Sequence, residues 1–568
     1  MTNSPKKIYG IDLGTTNSAI AFVDEYKKPQ IIPNSDNERI TPSVVFFENP
    51  VNIVVGTGAV VAAATEPDRE VSFVKRQMSN TQWTCTMDGN IYKPETVCAE
   101  ILKRIAKDAS QSGEHQVRDV VITVPAYFGD LERQRTRDAG ELAGLNVVQI
   151  LDEPVAAAIY YALNAEAQGK NIIVYDLGGG TFDVTVVSIG GGGSNQEISV
   201  VCTDGNHQLG GKDWDDRIIQ YLCDKYREET GSEEDILSAP ETAFALRRDV
   251  EQSKKLLSRK ESVNITLQHE GQKCKVPMSR TKFGELTDDL LEQTIILTDE
   301  VIAVASERGV TRIDTFLLVG GSTRMPQVKE KLIAKYGLTY NNPSLPNDTL
   351  IELDVDEAVA KGAAIAGEIH VITRRVDDEM KRIAGEQGID SDKATPEDQE
   401  ELWRLATQQV AVQSGDTPEE VRRTPKVRVV ATKSYGVRAL DAGRLPMIAN
   451  LIAKNTRVPC KQSRIFGTGD ANADALDLVV YLNNELSTTA SLDSGTVLGE
   501  AEFKLDGTLP EGAPIEITFE LDEQGCLTMT GLDTTCGRKV SANFRSDGVM
   551  SLEEKERVKA ELAMQNVS

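Results

Sequence analysis

Two stretches of this chain repeat a pattern that few folds can accommodate. Residues 8–22 read IYGIDLGTTNSAIAF, and residues 172–187 read IIVYDLGGGTFDVTVV. Each is an apolar strand that ends in Asp-Leu-Gly, passes through a turn of glycine and threonine, and returns as a second apolar strand. The turn is short enough for a hairpin. A unit recurring about 160 residues apart implies two related halves that face one another.

Each turn sets a carboxylate beside bare backbone at a strand end. Glycine lets the main chain approach a ligand closely, and successive N–H groups in a tight turn make an anion-binding nest. Gly14, Thr15 and Thr16, and Gly178, Gly179, Gly180 and Thr181, are therefore candidate phosphate holders. Asp12, Asp176 and Asp183 repel phosphate, so they make sense with a hard cation in between; Mg²⁺ needs only a few carboxylates, waters and the phosphates. Either turn alone reads as readily as a plain hairpin. The aspartate repeated in the same place moves the reading to function. No GxxxxGK[ST] occurs, which excludes a P-loop. A third turn, Gly320-Gly321-Ser322-Thr323-Arg324, follows the apolar strand Phe316–Val319. It is either an ordinary strand-to-helix turn or a place where backbone and the Arg324 guanidinium lie against a flat ring.

With 568 residues the chain has room for three or four domains. The first 370 or so alternate strand and helix patterns, the signature of an α/β unit. Over 371–425 strands vanish and charge rises. Thr395-Pro396 and Thr417-Pro418 predict helix starts, with threonine as N-cap and proline first in the helix. This region is expected as short, solvated connecting helices. From 426 to 545 the pattern is β only. LDLVVYL at 476–482 is one strand; Ile515, Ile517, Phe519 and Leu521 alternate with polar residues, then come the turn Asp522–Gly525 and the strand Cys526–Leu532. Regular turns predict a sandwich. Ser551 and Glu554 have capping-box spacing for one last helix over 551–565.

Acidic residues number 88 against 62 basic, a net charge of −26. That excludes a general nucleic-acid binder and argues against anionic membrane. There is no apolar core of a secretory leader near Met1 and no bilayer-length apolar run, so the expectation is a soluble, cytoplasmic protein. The eight cysteines form no CxxC, and with four histidines no zinc site is expected. The cysteines read as ordinary reduced residues.

Seven motifs occur in order: IDLGTTNS (11–18), VPAYF (124–128), DEPVAAAI (152–159), YDLGGGTFDVTV (175–186), LGGKDWDDR (209–217), VGGSTRMP (319–326) and DEAVAKGAA (356–364). The chain resembles the DnaK-type heat-shock chaperones of the actin/sugar-kinase ATPase superfamily, densely over 1–370 and more thinly over 433–545. The resemblance implies an α/β two-lobed actin-like ATPase domain (1–370) and a charged, largely helical connector (371–432). A mostly-β sandwich of the peptide-binding kind (433–545) and a short C-terminal helix (546–568) would follow.

It also implies roles. The phosphate loops become Gly14, Thr15, Thr16 and Asn17, and Gly178 to Thr181. Gly210 and Gly211 add a further phosphate contact. Asp12, Asp176 and Asp183 order Mg²⁺ and its waters. Lys75 faces the γ-phosphate, Glu153 lies near the hydrolytic water, and Thr181 contacts the γ-phosphate. Glu251, Lys254, Lys255 and Ser258, at one helix face, form a wall of the adenosine pocket with Gly320, Gly321, Ser322, Arg324 and Asp356. Pro125 and Arg133 resemble the switch between nucleotide state and second domain.

Two departures stand out. The segment 371–425 replaces a short leucine-rich linker, leaving Val427-Arg428-Val429-Val430 as its apolar remnant, and the helical lid is nearly absent. The expected function is an ATP-dependent chaperone that hydrolyses ATP to ADP and binds extended polypeptide. Its partners would be unfolded clients, a J-domain co-chaperone and a nucleotide exchange factor. The alternatives are a nucleotide-binding interaction or exchange-factor-like protein with little peptide cycling, and a small-molecule kinase of the same superfamily. The added β domain disfavours the kinase.

Overall fold

The computed structural model describes residues 7–568 apart from 112, 165–166, 191–196, 341–348, 390–394, 419–420, 422–425, 442, 470–472, 523–526, 535–537 and 544–548. The two Asp-Leu-Gly strands occupy equivalent places in two six-stranded sheets. In the first sheet, Ile8–Asp12 runs parallel to Asp119–Val124 on one side and antiparallel to Asn17–Val23 on the other. In the second, Asn171–Leu177 runs parallel to Thr315–Val319 and antiparallel to Phe182–Gly190. The sequence echo is thus a repeat of topology. Both central strands are apolar on both faces, as a strand covered by helices on each side must be; Ile172, Ile173, Val174 and Tyr175 are all fully buried.

Helices Glu153–Asn164 and Ala358–Gln387 pack against each other and join the two sheets. The crossing is close at Gly362, where a Cβ would lie 1.8 Å from the Ala156 carbonyl oxygen. Helix Ala358–Gln387 runs through residue 370 without interruption, so the break expected between 370 and 371 falls inside a 30-residue helix. Its second half pairs with helix Pro396–Ser414 around Val376, Ile383, Leu402, Ala406 and Val410. Among the described residues the charged stretch is the wet face of two paired helices with a core of their own, not a set of short solvated helices. Apolar residues recurring every three or four positions carry that core. Thr395 caps the second helix, its hydroxyl accepting from the Asp398 N–H at 3.2 Å. The start expected at Thr417-Pro418 runs into residues outside the described ones.

Past residue 430 the chain is β-rich. A five-stranded sheet contains Ser434–Leu440, Pro446–Ile452 and Ala473–Asn483, and a four-stranded one contains Cys460–Gly467, Pro514–Leu521 and Leu527–Asp533. Ile515, Ile517, Phe519 and Leu521 point into the core between them with Tyr435, Val437, Ile452 and Met529. Strands Pro514–Leu521 and Leu527–Asp533 pair from Leu521 opposite Leu527, while most of the turn between them lies outside the described residues. The apolar remnant of the linker is docked: Lys426–Arg428 adds a strand parallel to Glu197–Ser199 at the edge of the second sheet, and Val430 is buried. Lys454 pairs with Asp204 at 2.8 Å, and Arg308 donates to the Asn455 carbonyl at 2.6 Å. Tyr435 donates to Asp130 at 3.1 Å and Thr432 to the Phe128 carbonyl at 3.3 Å.

The last helix, Leu552–Ala563, is capped by the Ser551 hydroxyl and lies against helix Asp130–Leu142. Lys555 pairs there with Asp138 at 2.6 Å and Glu141 at 2.9 Å. Strand Asn566–Val567 then joins Asn52–Val55 in parallel. Lys103 and Lys107 donate to the carbonyls of Leu562, Gln565 and Val567 at 2.6–2.7 Å, a favourable placing of cations at a helix C-terminus. Among the described residues no helix is long and apolar enough to cross a membrane.

Candidate functional site

The two glycine turns meet. A Cβ on Gly179 would lie 2.4 Å from the Thr16 side chain, and one on Gly180 would lie 2.3 Å from Thr15 Cγ2. Only glycine permits that approach. The first turn is braced by Ser18, whose hydroxyl accepts from the Gly14 N–H at 3.1 Å, and by Ser43, whose hydroxyl donates to the Gly14 carbonyl at 2.8 Å. The second turn is held from behind. Gly211 N–H donates to the Gly178 carbonyl at 3.0 Å and Lys212 N–H to that of Gly179 at 2.8 Å. Ser322 of the third turn also donates to the Gly178 carbonyl, at 2.8 Å. The Gly14 N–H is committed to Ser18 and the Gly178 N–H to the Thr181 carbonyl at 3.0 Å, so the N–H groups left for an anion are those of the residues that follow each glycine.

Beside the turns sits an excess of negative charge. Asp176 and Asp183 are direct cross-strand partners, an arrangement that costs stability unless something positive lies between. Asp12 ends its strand and Glu153 opens its helix. Among the described residues one cation answers them: Lys75 in the short helix Val74–Gln77 donates to Glu153 Oε1 at 2.5 Å and lies 5.7 Å from the centre of the Phe128 ring. Burial, and then the Glu153 charge, pushes the Asp12 carboxyl up to about 7, while Lys75 and a hydrogen bond from Thr123 pull the other way. Burial, followed by Glu153, raises Asp176 and Asp183 well above the usual carboxylate range. Both oxygens of Asp183 are buried without a hydrogen bond among the described residues. One lysine cannot balance four carboxylates, and the orphaned oxygens fit a hydrated divalent cation.

Asp12, Lys75, Glu153, Asp176, Thr181 and Asp183 are thus gathered around the turns. Lys254 stands behind them, donating to the Gly211 carbonyl and to Asp215, both at 2.7 Å. The expected helix face divides here: Lys254 is buried, whereas Glu251 and Lys255 pair with each other at 2.7 Å and Lys255 is exposed. Ser258 is the helix C-cap. Arg324 pairs with Asp356 at 2.6 Å, beside Gly321. Asn17 opens its strand opposite Pro42. Arg133 pairs with Asp152 and donates to the Phe128 carbonyl at 3.0 Å, so the loop after Pro125 links the first sheet to the contacts of Thr432 and Tyr435. Sequence reasoning missed Arg76, which donates to the Gly180 carbonyl at 2.7 Å and pairs with Asp213 at 2.5 Å. No spacing marks it; only its position next to Lys75 could have. Cys98 and Cys202 have thiols pushed up to about 12 by burial, which makes them poor nucleophiles.

Two topologically matched α/β sheets with converging glycine turns, joined to a separate β unit, define a two-lobed nucleotide-type scaffold carrying a second module. The chain belongs to the Hsp70 family: the family model described as Hsp70 protein matches residues 8–83, 77–381 and 400–567. Membership makes this a chaperone-type, ATP-binding protein. It also implies the two-lobed actin-like ATPase domain and the β substrate-binding domain of that family.

Proposed function

We propose that this chain is an ATP-dependent molecular chaperone in which slow hydrolysis of Mg-ATP controls the grip of the β unit on extended polypeptide. The observation that carries the reading is the meeting of Thr15-Thr16 with Gly179-Gly180 beside four carboxylates and one lysine. Gly14, Thr15, Thr16 and Asn17, with Gly178, Gly179, Gly180 and Thr181, hold the phosphates, helped by Gly210 and Gly211. Lys254, Glu251, Lys255, Ser258, Gly320, Gly321, Ser322, Arg324 and Asp356 take the nucleoside end. Mg²⁺ bound through Asp12, Asp176 and Asp183 supplies charge neutralisation at the phosphates. Lys75, oriented by Glu153, and the Thr181 hydroxyl position the terminal phosphate, and Glu153 orients water. Such hydrolysis needs placement and charge balance more than a strong base.

We assign the functional units as a nucleotide unit over about 1–370, a connector over 371–432 that begins within helix Ala358–Gln387, a peptide-binding sandwich over 433–545 and a terminal helix over 546–568. The sandwich takes extended apolar chain by main-chain bonding and apolar pockets. A J-domain partner and an exchange factor fit the same cycle, as do a cytoplasmic location and a stress role.

One observation favours a second reading, that of a nucleotide-binding interaction protein with little peptide cycling. The described contacts of helix Leu552–Ala563 and strand Asn566–Val567 run to the first lobe, where a fixed anchor restrains movement of the β unit. Phosphate release, measured alone and with an unfolded apolar peptide, separates the two. Stimulation by peptide supports the chaperone. Tight Mg-ADP binding with no stimulation supports the interaction protein and overturns the cycle.

A further inference from the structure

The hairpin Ser262–His269 and Gln272–Ser279 in the second lobe ends in a feature that nucleotide binding does not use. Its inward face runs Ile265, Leu267, His269, so an apolar stripe finishes on an imidazole. Glu270 and Gly271 take left-handed angles, φ 45° and 81°, in the two-residue turn that closes the hairpin. His269 is 6% exposed. Its ring meets Tyr226 edge-on at 6.3 Å, and its Nδ1 lies 3.0 Å from Thr242 Oγ1. Its Nε2 is buried and has no hydrogen-bond partner among the described residues. That nitrogen faces Glu234 Oε2 at 3.6 Å, beyond hydrogen-bond reach. Glu234, in the connection after helix Gly211–Thr230, and Glu270 each bring a carboxylate oxygen, and the three donor atoms lie within 4.8 Å of one another.

These distances suit ligands of one shared ion. Two donors bound tetrahedrally at about 2.0–2.2 Å stand roughly 3.4 Å apart, and the His269–Glu234 separation is close to that. The tautomer in which Nδ1–H donates to Thr242 leaves the Nε2 lone pair free to bind an ion beside the Glu234 and Glu270 carboxylates. Metal-bound imidazoles are oriented in this way by a hydrogen bond at the other nitrogen.

We propose that Glu234, His269 and Glu270 form a site for a divalent transition-metal ion, with Zn²⁺ the best match to one nitrogen and two oxygens plus an open fourth position. Thr242 is the positioning residue. The ion clamps the hairpin tip to the connection after helix Gly211–Thr230. No spacing marks the site, because Glu234 and His269 are 35 residues apart and only the fold brings them together.

The test is calorimetric titration of ZnCl₂ into the full chain, saturated with Mg-ADP and kept reduced. One equivalent is expected, with affinity at least tenfold weaker in His269→Gln and in Glu234→Gln. Glu234 is exposed, so its variant keeps the fold even if the histidine variant does not. Thr242→Val retains all three ligands and should weaken binding about tenfold or more. Absence of Zn²⁺ uptake by the unaltered chain, or affinity in both ligand variants undiminished from that of the unaltered chain, overturns the site.

Discussion

Replacing Lys75 with methionine removes the cation from a set of four carboxylates. Lys75 and Glu153 are 3% and 10% exposed at their side chains, and their charged atoms are 2.5 Å apart. Removing one partner of a buried pair costs about 3–5 kcal/mol, because the other charge is left buried and unpaired. Proton uptake relieves part of this, since burial already pushes the Asp12 carboxyl up to about 7. The lower end, about 3 kcal/mol, is therefore expected. For a cooperative unit of roughly 370 residues, at about 2.1 cal/mol/K per residue, that lowers Tm by about 4 °C. Lys75→Met with Glu153→Gln deletes both charges and should recover most of the loss. Turnover behaves differently: an electrostatic contact to the reacting phosphate is worth about 10²–10³-fold, and the double variant does not restore it. Scanning calorimetry without nucleotide and steady-state phosphate release measure the two effects. A double variant no more stable than Lys75→Met refutes the energetic pairing. Recovery of turnover in the double variant refutes the catalytic role.

Two further outcomes follow from the same structure. Asp12, Asp176 and Asp183 hold protons more tightly folded than unfolded, so these three groups contribute stability to the nucleotide-free protein that is lost as pH rises from about 4 towards 7 and beyond, and the Asp12→Asn variant should show a smaller loss over that range. Mg-ADP needs those groups ionised, hence its Tm gain should be larger at pH 8 than at pH 6; equal gains would remove them as metal-site carboxylates. Val567 is 2% exposed within the core of the first lobe, and losing its burial costs about 1.5–3 kcal/mol. Val567→Asp should speed hydrogen exchange at the Val55 amide, which donates to the Ser568 carbonyl, by about 10–100-fold, and unchanged exchange would show that the strand is not an anchor.

The part of the fold legible in the sequence is the part dictated by local pattern. The Asp-Leu-Gly hairpins are readable because turn chemistry and apolar runs agree, and Asp176 opposite Asp183 stands out as a local conflict that protonation or a bound cation relieves. The helical hairpin over 371–414 was harder. Its charges dominate the composition, while the apolar residues at 376, 383, 402, 406 and 410 make a core only when two helices are paired. Arg76 and the group around His269 were illegible for the same reason, since each is defined by neighbours distant in sequence. The terminal strand at 566–567 is too short to carry any periodic signal.

The most direct test of the two-turn account is a calorimetric titration of Mg-ADP into the unaltered chain and into Gly179→Val, whose added side chain would collide with Thr16. One nucleotide per chain, with binding at least 100-fold weaker in the variant, is the expected result. No heat from the unaltered chain, or undiminished affinity in Gly179→Val, would contradict it.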